Sequence, residues 1–138
     1  MGLFSFFRKR KKVEEVKQMS EEDLKWNKMW DLWVKGEIET PYYELMDYLS
    51  GVNNGGHHCH LDNTNGNCDL KKYIDSLKKI LPEPLKSNAV LAYKTYSKNP
   101  DDVSEEGVEI LDNCDSVYYE NEELINDILK ERASKIEL

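Results

Sequence analysis

Apolar residues along this chain recur every three or four positions, broken by short clusters of proline, glycine, asparagine and aspartate. That is the pattern of amphipathic helices joined by turns. Ser20 followed by Asp23 predicts a capped helix start, and Leu24, Trp26, Met29, Trp30 and Trp33 repeat at helical spacing until Gly36 supplies a stop. Three tryptophans on one helix offer either a ligand surface or core. Core is the reading, because Trp buries a large apolar area. Thr40-Pro41 predicts a second start, with Thr40 as cap and Pro41 at the first helical position, followed by the stripe Leu45, Met46 and Leu49. Asn53-Asn54-Gly55-Gly56 is expected to end or sharply kink this helix, since glycine accepts backbone angles that other residues avoid.

Residues 62–67 read as a polar loop. Asp69 caps a third helix carrying Leu70, Tyr73, Ile74, Leu77 and Leu81, bounded by Pro82 and Pro84. A fourth runs to near Ser97 with Leu85, Ala89, Ala92, Tyr93 and Tyr96 inward. Asn99-Pro100-Asp101-Asp102 is a turn, 103–107 a loop or short helical turn, and two closing helices are expected over 108–114 and 121–133. No sustained alternation demands a sheet. The expected fold is all-α, a single compact multi-helix domain of about five to six helices.

Composition narrows the function classes. The chain has 138 residues, 39% of them hydrophobic and 33% charged, with three Trp, eight Tyr and three Phe to fill a core. No apolar run approaches the roughly 20 residues that a membrane helix needs. With 19 basic and 27 acidic side chains the net charge is −8, the opposite of a basic nucleic-acid footprint.

That charge is unevenly placed. Residues 1–17 hold six basic and two acidic groups, whereas residues 101–138 hold thirteen acids against Lys130, Arg132 and Lys135. A basic leader, 1–17, therefore precedes an acidic helical domain, 18–138. The leader has its cations after its apolar residues, the wrong order for a secretory signal, and its hydroxyl at Ser5 is one place early for myristoylation. It reads as a solvated start, the alternative being contact of residues 1–12 with an anionic membrane at about 1 kcal/mol per cation. With no export signal, Cys59, Cys68 and Cys114 are expected to be reduced and the protein cytoplasmic.

His57-His58-Cys59-His60, with Cys68 further on, invites a metal reading. Imidazole and thiolate are zinc's preferred donors, and His57 and His60 share a helical face, with Cys59 or Cys68 to complete the set. Zinc ligands usually come as two separated pairs, so the leading expectation is no cofactor and structural histidines, with zinc the alternative. A Cys–His nucleophile pair lacks an orienting group and an oxyanion hole, and no phosphate-binding loop is present, so a non-enzymatic protein is expected.

Asn54-Gly55-Gly56, followed by Asn63, resembles the asparagine–glycine–glycine signature of a bacterial domain of unknown function associated with a DNA-mimic protein, in its C-terminal domain. Leu111-Asp112, Asp115, Tyr118 and Tyr119, with the stretch 122–132, resemble that family's closing segment, and the resemblance spans 40–134. Here His57, His58, Cys59, His60 and Leu61 replace the family's apolar and aromatic residues after the glycines. The resemblance implies an all-helical acidic protein-interaction module that occupies the DNA-binding face of a basic partner, such as a transcription factor, with no direct contact to nucleic acid. The partner-binding face is expected at Asp101, Asp102, Glu105, Glu106, Glu109, Asp112 and Asp115, with Glu120, Glu122, Glu123 and Asp127 beyond it. The signature residues Asn54, Gly55, Gly56 and Asn63 read as structural.

Overall fold

A computed structural model describes residues 19–138, so the basic leader and its membrane alternative lie outside the described residues. Five helices follow in order: α1 Glu21–Val34, α2 Tyr42–Asn67, α3 Leu70–Lys78, α4 Leu85–Ser97 and α5 Glu105–Ser134. There is no strand among the described residues, and the chain is an all-α single domain. Helix α5 is the spine, with α1, α2 and α4 all packed on it and α3 bridging α2 and α4. Among the described residues no helix is long and apolar enough to cross a membrane.

The local signals act as expected in α1 and α3, whereas α5 opens inside the stretch 103–107, expected as a loop or short helical turn, on a cap at Ser104 that the sequence reading did not single out. Ser20 accepts the Asp23 N–H at 3.1 Å, Asp69 that of Lys72 at 3.3 Å, and Ser104 that of Gly107 at 3.0 Å. The end of α1 is a Schellman motif, in which Gly36 N–H bonds Trp33 O and Glu37 N–H bonds Leu32 O. Met29 is fully buried, while Trp26, Trp30 and Trp33 are half-buried and stack edge to face along the core's rim. Trp33 donates its indole N–H to Tyr43 O at 3.2 Å, which ties α1 to the start of α2. The tryptophans are therefore packing residues. Lys25 reaches the carbonyl of Ser134, an acceptor that the end of α5 leaves open, and Lys28 that of Glu137 in the tail beyond it.

Three further expectations change. Pro41 sits at the cap position of α2, and Thr40 gives its hydroxyl to the Glu44 carboxylate at 2.8 Å instead of capping the backbone. Residues 62–67 are the second limb of α2 rather than a loop. Leu61 and Thr64 are buried one turn apart, and Thr64 and Asn67 bond back to the carbonyls of His60 and Asn63. Polar side chains that hydrogen-bond to their own preceding turn read as loop but fit a helix. The two closing helices are one continuous 30-residue helix. Leu111, Cys114 and Tyr118, then Ile125, Leu129 and Ala133, are buried along one face, with half-buried Asn121 and Glu122 in the polar stretch between them.

The kink expected at 53–56 falls on Gly56, with φ 80° and ψ 178°. This φ lies in the region that favours glycine. It divides α2 into a limb burying Leu45, Met46, Tyr48, Leu49 and Val52 and a limb burying His57, His60, Leu61 and Thr64.

Candidate functional site

Two features stand out: an exposed acidic ridge, and a buried polar chain beneath its far end. The ridge begins in the turn before α5, where Asp101 and Asp102 are exposed, and continues through Glu105, Glu106, Glu109 and Asp112, all exposed. Glu105, Glu109 and Asp112 succeed one another at helical spacing and lie along one face. None of these six carboxylates is hydrogen-bonded or paired to a cation among the described residues. Acids in the first turn of α5 favour the helix start, whereas those further along gain nothing from the helix dipole. Of the acids beyond the ridge, Glu120, Glu123 and Asp127 are exposed, while Glu122 accepts the Asn53 amide at 3.1 Å.

Asp115 differs from the six, being only 25% exposed at its side chain. Its Oδ1 accepts the backbone N–H of His57 at 2.8 Å and the ring Nδ1–H of the same residue at 2.6 Å. The opposite ring nitrogen, Nε2, accepts the Tyr48 hydroxyl at 2.6 Å. The carboxylate can only accept, so Nδ1 carries a hydrogen, and burial disfavours a second at Nε2; the ring, 1% exposed, is neutral and hydrogen-bonded at both nitrogens. Tyr48 and Tyr118 meet edge to face at 5.6 Å beside it, and Tyr118 donates to Leu49 O. A Cβ placed on Gly56 would stand 2.6 Å from Asp115 Oδ2. Gly56 thus serves both the kink and the approach of the carboxylate. This is a structural role for the glycine of the signature; Asn54 and Gly55 are exposed, and Asn63 reaches Cys59 Sγ at 3.6 Å.

The second buried imidazole, His60, shares its Nε2 with the Tyr73 hydroxyl at 2.7 Å, and Asp47 Oδ2 lies 3.8 Å away. A Cβ on Gly51 would fall within the His60 ring, so the ring packs directly on the backbone of the preceding limb. His60 and Tyr73 form the floor of a solvent-facing cleft of about 620 Å³ between α2 and α3, rimmed by Glu44, Asp47, Cys68 and Lys72.

Burial shifts these groups away from their charged forms. It lowers His57, against the opposing hydrogen bond and charge of Asp115, and lowers His60, against Asp47. Burial also pushes the Tyr48 and Tyr73 hydroxyls well up, with further upward pushes from Tyr118, Cys114 and Asp115 on the first and chiefly from Asp47 on the second. The Cys114 thiol is raised by burial to about 11, and the Cys68 thiol is raised by partial burial and then by Asp47. A buried thiol held protonated, as that of Cys114 is, makes a poor nucleophile and a poor metal ligand.

The residues of the zinc alternative are only partly brought together. His57 and His60 do turn inward together, but His57 spends both ring nitrogens on Tyr48 and Asp115. Cys59 and Cys68 are exposed, and His58 is an exposed residue beside Tyr96. Among the described residues no three His, Cys, Asp or Glu groups are placed to hold a metal ion. Sequence reasoning missed Tyr48 and Tyr73 as partners of the histidines and grouped Asp115 with the ridge. The available signal was that Asp115 adjoins the buried stripe Leu111, Cys114 and Tyr118, an awkward place for a solvated acid.

The chain matches no protein-family model, no curated protein and no solved structure.

Proposed function

We propose that this protein is a non-enzymatic, acidic interaction module of the bacterial cytoplasm whose ridge binds the basic face of a DNA-binding protein, acting as a DNA mimic. One observation carries the reading: six carboxylates, Asp101, Asp102, Glu105, Glu106, Glu109 and Asp112, stand exposed on and just before a single long helix, unpaired by any described cation. Like charges three and four residues apart cost a helix a few tenths of a kcal/mol per pair, so a ridge kept at that cost calls for a compensating use. Duplex DNA shows one negative charge per about 3.4 Å of axis on each strand, and at a rise of about 1.5 Å per residue Glu105, Glu109 and Asp112 place charges about 4.5–6 Å apart, a rigid anionic row somewhat sparser than one strand.

The rigidity has a local origin. Ser104 caps α5, and the face opposite the ridge is anchored by Leu111 and Cys114 in the core. The likeness of Asn54, Gly55, Gly56 and Asn63 to the DNA-mimic-associated signature supports the same reading.

The test is capture of the host's interacting proteins on the immobilised full chain, followed by challenge with short duplex DNA. Release of a basic protein by duplex DNA and by moderate salt is the expected result. Retention of the captured protein under both challenges would reject the proposal.

A further inference from the structure

Gly56 takes the backbone of α2 out of helical geometry, so the second limb begins as a new helix start, whose first amides call for an outside acceptor. Asp115, from α5 and 58 residues away in sequence, supplies the acceptor for His57 N–H, and the His57 ring links that same carboxylate to Tyr48 on the first limb. Every hydrogen in this chain is committed. The imidazole donates at Nδ1 and accepts at Nε2, and the Tyr48 hydroxyl makes its one hydrogen bond among the described residues to that nitrogen. A proton added at Nε2 must be donated to the Tyr48 oxygen, and the hydroxyl hydrogen displaced from that nitrogen has no other acceptor among the described residues, in a site where an unmade hydrogen bond is costly.

We propose that the Tyr48–His57–Asp115 chain is a proton-sensitive latch: with a neutral imidazole it holds the second limb of α2 against α5, and protonation of the ring frees that limb.

The surroundings favour this sense of operation. The first limb brings Tyr48 and, beside His60, Asp47; the second limb brings His60; α5 brings Cys114, Asp115 and Tyr118; and α3 places Tyr73 behind His60. On the outer side of the limb, Tyr96 of α4 bonds Asp62 and lies beside exposed His58. Among the described residues Asp115 is the one carboxylate that touches the His57 ring, and its pull is outweighed by burial, which lowers the imidazole below its ordinary 6.5. The latched state therefore binds fewer protons than a released one. The latch is at full strength above about pH 6.5 and weakens as the pH falls from there toward the depressed value of the latched ring.

Amide hydrogen exchange of the full chain between about pH 7.5 and pH 5, corrected for intrinsic rates, tests this. Protection of residues 57–67 relative to 125–129 is expected to fall by about tenfold or more on acidification. That response should vanish in His57→Gln and persist in His58→Gln. A flat profile in the natural chain, or an undiminished response in His57→Gln, would overturn the proposal. Should His57→Gln fail to fold, an imidazole titration of the natural chain decides: a His57 midpoint below 6.5 supports the latch, and one at or above it removes the latch.

Discussion

Asp115 Oδ1 receives two hydrogens from one residue, the backbone N–H of His57 at 2.8 Å and its ring Nδ1–H at 2.6 Å. A side chain from the middle of α5 thus caps the second limb of α2 and orients the buried imidazole at its start. The exposed acids before it on the same helix leave their carboxylates to solvent. The division between Asp112 and Asp115 marks where the ridge ends and the internal network begins.

Asp115→Ala should destabilise the protein by about 2–4 kcal/mol, since it orphans two donors, one of them fully buried. Asp112→Ala, one turn away and exposed, should change stability by less than about 0.5 kcal/mol. Urea denaturation of the two variants checks the contrast, and equal effects would deny Asp115 its internal role.

Gly56→Ala should cost about 2 kcal/mol or more, because the added Cβ meets both a positive φ and the Asp115 carboxylate. Gly66→Ala, in the last turn of α2 with open space around it, should be neutral or stabilising by up to about 1 kcal/mol. Thermal unfolding of both variants reads the difference directly.

Global stability should follow the two buried histidines. Both are lowered from 6.5, so the unfolded chain binds protons more readily than the folded one, and unfolding free energy should decline as pH falls below about 6.5. Above that pH these two residues should contribute no slope. Denaturation midpoints measured across this range should show the decline shrink in His57→Gln; a decline of undiminished size there would place its origin elsewhere.

Cysteine reactivity should divide two to one. Cys59 and Cys68 are exposed, whereas Cys114 is buried with its thiol raised to about 11. A disulfide-exchange reagent should modify two thiols in the native protein and the third only in denaturant. Three rapidly reacting thiols without denaturant would contradict the packing of α5 against the core.

Much of the fold was legible because its signals are local. The caps Ser20 and Asp69, the stop at Gly36 and the break at 53–56 each depend on residues within a few positions, and each does what its chemistry suggests. Residues 62–67 and the middle of α5 were misread because periodicity weakens where the solvent-facing positions are densely polar; the buried stripe continues through only Leu61 and Thr64 in one case and Tyr118 in the other. The His57–Asp115 pairing joins residues 58 positions apart, and no spacing rule reaches that far. In sequence, the same aspartate is indistinguishable from its neighbours on the ridge.

The ridge itself is best tested by neutralising Glu105, Glu109 and Asp112 together, as Glu105→Gln, Glu109→Gln and Asp112→Asn, in a chain whose helix content and melting are checked to be unchanged. The measurement is the affinity of the natural and the triple-variant chains for the captured basic partner, at low and at raised salt. Affinity at least about tenfold weaker in the variant, with a shallower salt dependence, is the expected result. Equal affinity and equal salt dependence for the two chains would contradict a role for the acidic ridge in binding.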